Sequence, residues 1–348
     1  MSNIKVIKTN SIIINNKVVV YDVFYSNSKK SIAVIVNPGF MCIDELAKIK
    51  LYLNSNGTLS ELICIGSDAH HPRPCDCNED QWTHTEVNIV LYYEYKGDLL
   101  VIEYENNKKE LKITNVDSED ESQGFMLSTI VHMPCYHGIY QWITYHKKLG
   151  INNYNFYLND FSDQRLSEVI QIVNDIEDVS ISIIDWNFPY LGKFGKHTFH
   201  GAQVQAFNHA MHFFNYKSYI LTDVDEYLIT NSLSDILEKY KDYSYIVMEN
   251  KWAKKTKDDN LFGSGDVYVY DSNRDASIVK NIIIDRNKIK VALVHGSFAR
   301  DNLSSCLAKT EDIYFIHYLD MGKNSNWKKD RIYNDIMGTY NERILNLG

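Results

Sequence analysis

Two carboxylates follow an apolar segment near the middle of the chain, where the sequence runs Tyr219-Ile-Leu-Thr and then Asp223-Val-Asp225. Divalent cations such as Mg²⁺ and Mn²⁺ prefer oxygen ligands, and they commonly take one or two protein carboxylates together with phosphate oxygens of a substrate. A bound ion of this kind neutralises the charge that develops on a leaving diphosphate. The spacing of Asp223 and Asp225 therefore predicts a metal and diphosphate site. The alternative is a solvated turn after a strand.

The segments before this pair alternate between strand-like and helix-like patterns. Strand patterns cover residues 125–132, 154–158, 179–183 and 219–222, and helical spacing of apolar residues covers 137–149, 162–175 and 202–214. This order predicts an α/β fold with a mostly parallel, doubly wound sheet flanked by helices, in which ligands bind at the carboxyl ends of the strands. No Gly-x-Gly-x-x-Gly or Walker-type loop follows the first strand, which counts against a dinucleotide oxidoreductase or a P-loop NTPase.

The first third of the chain carries mainly strand patterns. Two β-branched runs flank Asn15-Asn16 as in a hairpin, and two alternating segments flank a turn at residues 96–98. We expect residues 1–124 to form a β-rich, sandwich-like accessory domain and residues 125–348 to form the α/β domain. At the other end of the chain, apolar residues at helical spacing predict a closing helix over residues 328–346.

The composition is that of a globular chain and counts against several classes of protein. The 348 residues carry 36 Lys and Arg against 45 Asp and Glu, a net charge of −9, which disfavours nucleic-acid binding through phosphate neutralisation. No apolar segment approaches the ~20 residues that span a bilayer, and the start does not match a signal peptide. Six cysteines are too few for a disulfide scaffold. We therefore expect a cytoplasmic protein without a transmembrane segment.

Six motifs resemble, in the same order, those of glycosyltransferase family 92. They lie in residues 142–151, 154–163, 201–210, 222–228, 280–295 and 316–325, and they include Trp142-x-x-x-His146-x-x-x-Gly150, the box Asp223-Val-Asp-Glu-Tyr, Lys280-Asn-Ile-Ile-Ile and Ile316-His-Tyr. The resemblance covers about residues 126–335. Two departures affect the first helix, where Cys135-Tyr136-His137 replaces the Asn-Glu of the family and Gln141 replaces a Glu. These departures remove carboxylates from the part of the family pattern that bears on donor binding.

The resemblance implies a GT-A fold, a UDP-sugar donor and inversion at the anomeric carbon, with galactose as the implied sugar. It places donor-binding residues at Asn159, Asp163, Asp223 and Lys323. Asn159 and Asp163 would lie near the nucleoside, and Lys323 would contact the diphosphate. A positive charge there would stabilise the leaving group as the bond breaks.

The resemblance also implies a metal ion, Mn²⁺ or Mg²⁺, held by Asp223, Asp225 and His317. His295 competes with His317 for the third ligand position, and the alternative for His317 is a strand-end histidine hydrogen-bonded in the core. Eukaryotic relatives often carry a membrane anchor. The absence of one here points to a microbial or viral protein, or to a chain whose start has been removed.

Inverting transfer needs a base that takes the proton of the acceptor hydroxyl as it attacks, and a carboxylate is the usual choice. Glu249, Asp258 and Asp259 lie in the segment that should border the acceptor, and Asp259 is our nominal choice. The alternative is that these acids form a solvated face of a lysine-rich loop. Glycines in the same loop, among them Gly263, would let it move over the donor.

A second group of metal-binding residue types lies in the N-terminal third, in His70-His71-Pro-Arg-Pro-Cys75-Asp-Cys77. Two histidines and two cysteines in one short stretch could bind zinc. Their spacing matches no standard finger, so an irregular polar loop between strands is the competing interpretation.

The sequence thus predicts a metal-dependent inverting glycosyltransferase that moves a sugar from a UDP-sugar to a hydroxyl of a glycan acceptor. One alternative is a non-catalytic glycan-binding protein with a decayed transferase fold, which the missing acids of the first helix favour. Another is a metal-dependent nucleotidyltransferase. It would release pyrophosphate or transfer a nucleotide instead of releasing free UDP.

Overall fold

A computed structural model of the chain describes residues 2–14, 17–26, 29–36, 48–55, 57–70, 87–94, 100–115, 122–131, 136–159, 161–190, 192–194, 197–199, 201–257, 262–272, 279–300, 305–318 and 340–348. The helices are α1 (Tyr136–Lys148), α2 (Asp163–Val173), α3 (Gly201–Phe213) and α4 (Leu233–Tyr240), with a 3₁₀ turn at Arg286–Lys288.

Strands make up most of the described residues. They are β1 (Asn3–Lys8), β2 (Ile12–Ile14), β3 (Lys17–Ser26), β4 (Ser31–Val36), β5 (Lys50–Ser55), β6 (Thr58–Glu61), β7 (Cys64–His70), β8 (Val87–Tyr93), β9 (Leu100–Tyr104), β10 (Asn107–Leu111), β11 (Thr114–Asn115), β12 (Ser122–Val131), β13 (Asn153–Leu158), β14 (Ser180–Asp185), β15 (Gly192–Phe194), β16 (His197–Phe199), β17 (Tyr216–Leu221), β18 (Glu226–Thr230), β19 (Tyr245–Lys255), β20 (Asp266–Ser272), β21 (Val279–Ile283), β22 (Ile289–Leu293), β23 (Gly296–Ala299), β24 (Ser305–Leu307), β25 (Ile313–Tyr318) and β26 (Tyr340–Asn346).

The largest sheet is mixed and contains 12 strands, in the order β1-β14-β13-β12-β17-β21-β19-β20-β26 with β18, β24 and β25 attached beside β19. The five strands from β1 to β17 in this order run parallel to one another. Taken in chain order, β12, β13, β14 and β17 lie in the spatial order 3-2-1-4 of a doubly wound sheet, so the direction of winding reverses between β12 and β17. The expected α/β architecture is confirmed at this level.

The parallel strands are buried on both faces because helices cover both. Phe156 of β13 and Ile183 of β14 face a core shared with α1 and α2, whereas Tyr157 and Ile184, one residue further on, face a second core shared with α3. This is the period-two alternation of a strand. It explains why these segments are apolar at nearly every position, as parallel strands covered by helices usually are.

Local signals set the ends of the helices close to the predicted residues. Ser162 accepts a hydrogen bond from the backbone N–H of Arg165 and so begins α2 as an N-cap. Gly150 follows α1 with a φ of +85°, a conformation that glycine adopts without a steric penalty and that ends the helix.

The N-terminal third contains two smaller sheets, β10-β9-β5-β6 and β11-β3-β4-β8-β7, which share one apolar cluster that includes Val23, Val34, Leu51 and Ile102. The predicted hairpin is confirmed, because β2 and β3 pair antiparallel with Ile14 opposite Lys17. Strand β1 pairs in parallel with β14, so the chain starts in the larger sheet. The division at residue 124 stays a prediction.

The predicted closing helix is wrong where the structure describes it. Residues 340–346 form β26, which pairs antiparallel with β20 over seven positions, and residues 328–339 lie outside the described part of the chain. Tyr340 and Ile344 are four apart, and that spacing places two residues on one face of a strand as well as of a helix. Pairing with the edge of β20 gives the backbone of residues 340–346 its hydrogen-bond partners, and this favours the strand over the helix.

Among the described residues, the structure contains no helix with the length and apolar character needed to cross a bilayer.

Candidate active site

A tight turn places the Asp-x-Asp pair at the carboxyl end of β17. The backbone N–H of Glu226 donates to the carbonyl of Asp223 at 3.1 Å, and the N–H of Asp223 donates to Glu226 Oε2 at 3.0 Å. These two hydrogen bonds close the turn from both sides and leave Asp225 at its third position. The turn lies beside the point where the winding reverses, which is where doubly wound sheets bind ligands.

A buried lysine forms ion pairs with the carboxylates at both ends of this turn. Lys280 of β21 is 1% exposed, and its Nζ lies 2.9 Å from Asp223 Oδ2 and 3.2 Å from Glu226 Oε2. Burial alone would lower the pKa of Lys280, but the carboxylates of Asp223 and Glu226 outweigh it and raise the pKa above the ordinary value. The lysine is therefore charged, and it compensates part of the negative charge buried with it.

The other oxygen of Asp223 is also engaged. Gln203 of α3 donates from Nε2 to Asp223 Oδ1 at 2.6 Å, and Tyr190 donates its hydroxyl to Gln203 Oε1 at 3.0 Å. Asp223 is thus held by an amide on one side and an ammonium group on the other. This fixes its side chain but leaves Asp225 as the carboxylate of the pair that is not bound by Lys280.

Asp225 lies beside His317, which is far away in the sequence. Its Oδ2 is 3.2 Å from His317 Nε2, and its carbonyl accepts a hydrogen bond from the N–H of Tyr318 at 3.0 Å. The antiparallel pair of β18 and β25 causes this contact, because it places Glu226 opposite His317. The structure therefore brings together two of the predicted metal ligands.

Three side chains surround the imidazole of His317. The ring stacks on Trp252 with centroids 4.5 Å apart, and Nδ1 lies 3.5 Å from both Asn250 Nδ2 and Glu226 Oε1. A carboxylate behind the second ring nitrogen is the usual support of a metal-binding histidine. The Oδ1 atom of Asn250 is buried and has no hydrogen-bond partner among the described residues, which leaves an acceptor beside the ring.

Helix α1 holds β18, and hence the turn, in place. Trp142 donates from its indole N–H to the carbonyl of Glu226 at 2.9 Å, and Tyr145 donates its hydroxyl to the carbonyl of Leu228 at 2.6 Å. His146 accepts from the N–H of Leu228 at 3.3 Å. The tryptophan and histidine of the first motif therefore support the site from behind.

The ligand atoms of this site fit a divalent ion that receives most of its ligands from substrate and water. Asp225 and His317 supply one oxygen and one nitrogen, whereas both oxygens of Asp223 are already bound by Gln203 and Lys280. In the part of the chain that is described, no three His, Cys, Asp or Glu side chains are grouped to hold a metal. Two protein ligands suit an ion that completes its shell with phosphate oxygens and water.

Two of the other predicted residues have partners of their own in the structure. Asn159 is 5% exposed and donates to the carbonyls of Trp186 and Phe188 at 2.9 and 2.7 Å, so it holds the segment that follows β14. Asp163 is exposed in the first turn of α2. Glu249 accepts a hydrogen bond from Thr310 Oγ1 at 2.7 Å. Thr310 precedes β25, whereas His317 lies near the carboxyl end of that strand.

Several predictions fall outside the described residues. These are the candidate bases Asp258 and Asp259, the donor residue Lys323, and the zinc candidates His71, Cys75 and Cys77, together with the side chain of His70.

Lys280, Gln203, Asn250 and Trp252 belong to the site although sequence reasoning gave none of them a role in it. Gln203 and Lys280 lie in two of the six motifs, and Lys280 also stands out as a charged residue just before the apolar run Ile282-Ile-Ile. A lysine in a buried strand needs a buried acid as its partner.

Comparison with known proteins agrees with the motifs. Residues 127–345 match the family model of glycosyltransferase family 92. Among solved structures, HddC from Yersinia pseudotuberculosis is 14% identical, with 56% of this chain and 93% of that chain covered and a TM-score of 0.32. The apo structure of the bifunctional glycosyltransferase WbbM is 13% identical, with 42% and 26% covered and a TM-score of 0.29. Both scores are too low to define a shared fold. No curated protein matches the chain.

Proposed function

The chain belongs to glycosyltransferase family 92, and on that premise we propose that it is a metal-dependent, inverting glycosyltransferase with a GT-A-like domain. It would move a sugar, with galactose as the implied one, from a UDP-sugar to a hydroxyl of a glycan acceptor. Family membership supports glycosyl transfer itself. The UDP donor, the metal ion and the inversion at the anomeric carbon go beyond family membership and are argued from the residues of the site.

The observation that carries the proposal is the contact of Asp225 with His317 at the carboxyl end of β17. Asp225 and His317 would hold Mn²⁺ or Mg²⁺, and the bound ion would neutralise the leaving diphosphate. Lys280 lies between Asp223 and Glu226, whereas the carboxylate of Asp225 faces Nε2 of His317, so an ion would bind between Asp225 and His317.

The other side chains of the site would act by orientation. Glu226 and Asn250 face Nδ1 of His317 and Trp252 covers one face of the ring, so Nε2 points to Asp225. Held in this way, the imidazole would lose little freedom on binding an ion, which is the advantage of a preorganised site. Both carboxylate oxygens of Asp223 are hydrogen-bonded to Gln203 or Lys280, so Asp223 would contact the sugar donor only through the side of its carboxylate that these partners do not cover.

The transfer step would proceed by displacement. The acceptor hydroxyl oxygen would form a bond to the anomeric carbon while the bond from that carbon to the UDP oxygen breaks, and a carboxylate would take the hydroxyl proton. Asp259, Asp258 and Glu249 stay the candidates for that base, and Asn159, Asp163 and Lys323 stay the candidates for donor contacts. A cytoplasmic location remains a prediction from the sparse cysteines.

The test is UDP release from a panel of UDP-sugars with Mn²⁺, Mg²⁺ or EDTA, using the parent and Asp225→Asn. Asp178→Asn is the matched control, because Asp178 is exposed and lies before β14, at the amino end of the sheet. We expect release from one donor, lost with EDTA and with Asp225→Asn but kept in Asp178→Asn. Pyrophosphate release would contradict the proposal in favour of a nucleotidyltransferase. Absence of both UDP release and UDP binding would favour a glycan-binding protein.

A further inference from the structure

A second polar cluster lies at the opposite end of α3 from the candidate active site. Lys29, His212, Arg286 and Arg300 line an open cavity there, with an empty volume of about 280 Å³ that includes open solvent. His212 follows Gln203 by nine residues, which corresponds to roughly 13 Å along the helix axis. The cavity is therefore separate from the Asp225–His317 contact.

The cavity carries an excess of positive charge. Lys29, Arg286 and Arg300 are cationic, and no acidic residue is among the described residues that line it. Asp68, which is 1% exposed, lies behind the cavity and pairs with Arg300. Cations outnumber acids among the described residues that line the cavity, so an anion is the ligand that this surface would attract.

Arg286 and Arg300 are held in place before any ligand binds. Arg286 donates to the carbonyl of Phe214 at 2.7 Å and to Asn215 Oδ1, at the end of α3. Arg300 donates to Asp68, which also accepts from the hydroxyl of Tyr92 at 2.6 Å. Two guanidinium groups with fixed positions form a rigid cradle, and rigid donors lose little entropy on binding an oxyanion.

The hydrogen bonds around Tyr92 determine the tautomer of His212. The Tyr92 oxygen is 2.6 Å from Asp68 Oδ2 and 3.2 Å from His212 Nδ1. Its single proton goes to the carboxylate, so Nδ1 must carry a proton and donate to Tyr92. In the neutral ring Nε2 is then an acceptor. It has no hydrogen-bond partner among the described residues, and it is 3.9 Å from Asp68 Oδ2.

We propose that this cavity binds a phosphate group that carries a proton, such as hydrogen phosphate. The negative oxygens would lie against Lys29 and Arg300, and the P–OH group would donate to Nε2 of His212. Sulfate has the same shape and charge but no proton at neutral pH, so it would leave that acceptor unsatisfied. A site that forms a hydrogen bond to one ligand discriminates against an analogue that lacks the donor.

The electrostatics of the two titratable groups agree with this geometry. Burial lowers the pKa of Lys29, the positive charges of Arg300 and Arg286 lower it further, and Asp68 opposes them. Burial lowers the pKa of His212 to about 4, so the ring is neutral at pH 7. Asp68 opposes this shift as well, whereas Arg300, Lys29 and Arg286 add to it. A bound anion would relieve the repulsion among the cations.

The test is calorimetric titration of the full chain with inorganic phosphate in EDTA at about pH 7.5, where His212 is neutral. Physiological salt should be present, because it screens binding to exposed charges. Variants are Lys29→Gln and the matched control Lys30→Gln, which changes the adjacent exposed lysine that does not line the cavity. EDTA separates this site from any metal-dependent site at Asp225.

We expect saturable phosphate binding that sulfate matches only at roughly fivefold or more higher concentration. Lys29→Gln should weaken binding by a similar factor, and Lys30→Gln should leave it unchanged. Three results would overturn the proposal: absence of saturable binding in the millimolar range, equal binding of sulfate and phosphate, and equal loss in both lysine variants. None of these results bears on glycosyl transfer.

Discussion

The imidazole of His317 lies 3.2 Å from the carboxylate of Asp225, although the two residues are 92 positions apart. Strand pairing produces this contact, because β18 leaves the turn that contains Asp225 and pairs with β25 at His317. The contact depends on a buried lysine, a supporting helix and a stacked tryptophan, and each of these supports can be tested separately.

Replacing Lys280 should destabilise the fold strongly. Lys280→Met would leave the fully buried carboxylate of Glu226 without its cation, and the loss of one partner of a buried ion pair costs about 3–5 kcal/mol. Urea unfolding would measure the loss, and the double variant Lys280→Met with Glu226→Gln should recover part of it. Lys239→Met removes an exposed ion pair with Asp312 and should change stability little. Equal stability of the two lysine variants would contradict the role of Lys280.

His146 should make the fold sensitive to acid. Burial lowers its pKa to about 3, and its Nδ1 donates to the carbonyl of Trp142 while Nε2 accepts from Leu228. The unfolded chain, with a pKa of about 6.5, binds this proton more readily. The contribution of His146 is therefore complete above pH 6.5 and is lost toward pH 3, by about 1.4 kcal/mol per pH unit.

Chemical unfolding at a series of pH values would measure this slope. His146→Gln keeps one donor and one acceptor but does not titrate, so its stability should fall less steeply with acid than that of the parent. Identical slopes for the two proteins would contradict the assignment.

Gly263 should not tolerate a side chain. Its φ is +72°, and a Cβ atom would lie 2.4 Å from Cε1 of Tyr227, the residue after Glu226. Gly57 has a similar φ of +86°, but a Cβ atom at that position would meet none of the described residues within 4 Å, so Gly57→Ala measures backbone strain. We expect Gly263→Ala to cost about 1–3 kcal/mol more than Gly57→Ala in thermal or urea unfolding. Equal costs would show that Tyr227 moves aside freely.

Glu226→Gln should weaken metal binding without removing a ligand. The carboxylate faces Nδ1 of His317 at 3.5 Å, and loss of such a supporting group typically costs 10–100-fold in metal affinity. A Mn²⁺ titration with UDP present would measure the change, and circular dichroism would check the fold. Unchanged Mn²⁺ affinity in a folded variant would show that Glu226 acts only as an ion-pair partner of Lys280.

Sequence reasoning predicted the parts of this site that depend on local pattern. The apolar runs gave the parallel strands, and the position of Asp223 and Asp225 after one of them gave the turn. The sequence could not show that Lys280, 57 residues further on, would bind Asp223 and so separate the roles of the two aspartates. Such a contact depends on antiparallel pairing of β17 with β21, which periodicity does not encode.

The same limit explains two other differences. Asn159 carries a polar amide at the end of β13, but only the path of the chain after β14 determines that the amide binds carbonyls there. The four-residue spacing of Tyr340 and Ile344 suits a helix and one face of a strand equally well. The free edge of β20 selected the strand.

The most direct test of the central claim is Mn²⁺-dependent binding of UDP to the parent, Asp225→Asn and Asp178→Asn. Asp178 has a φ of +52°, which asparagine tolerates well, so the control makes the same chemical change at an exposed position before β14. We predict that Mn²⁺ strengthens UDP binding in the parent and in Asp178→Asn, and that Asp225→Asn loses roughly tenfold or more of this gain. UDP binding that Mn²⁺ does not affect, or that all three proteins share equally, would contradict a metal site at Asp225 and His317.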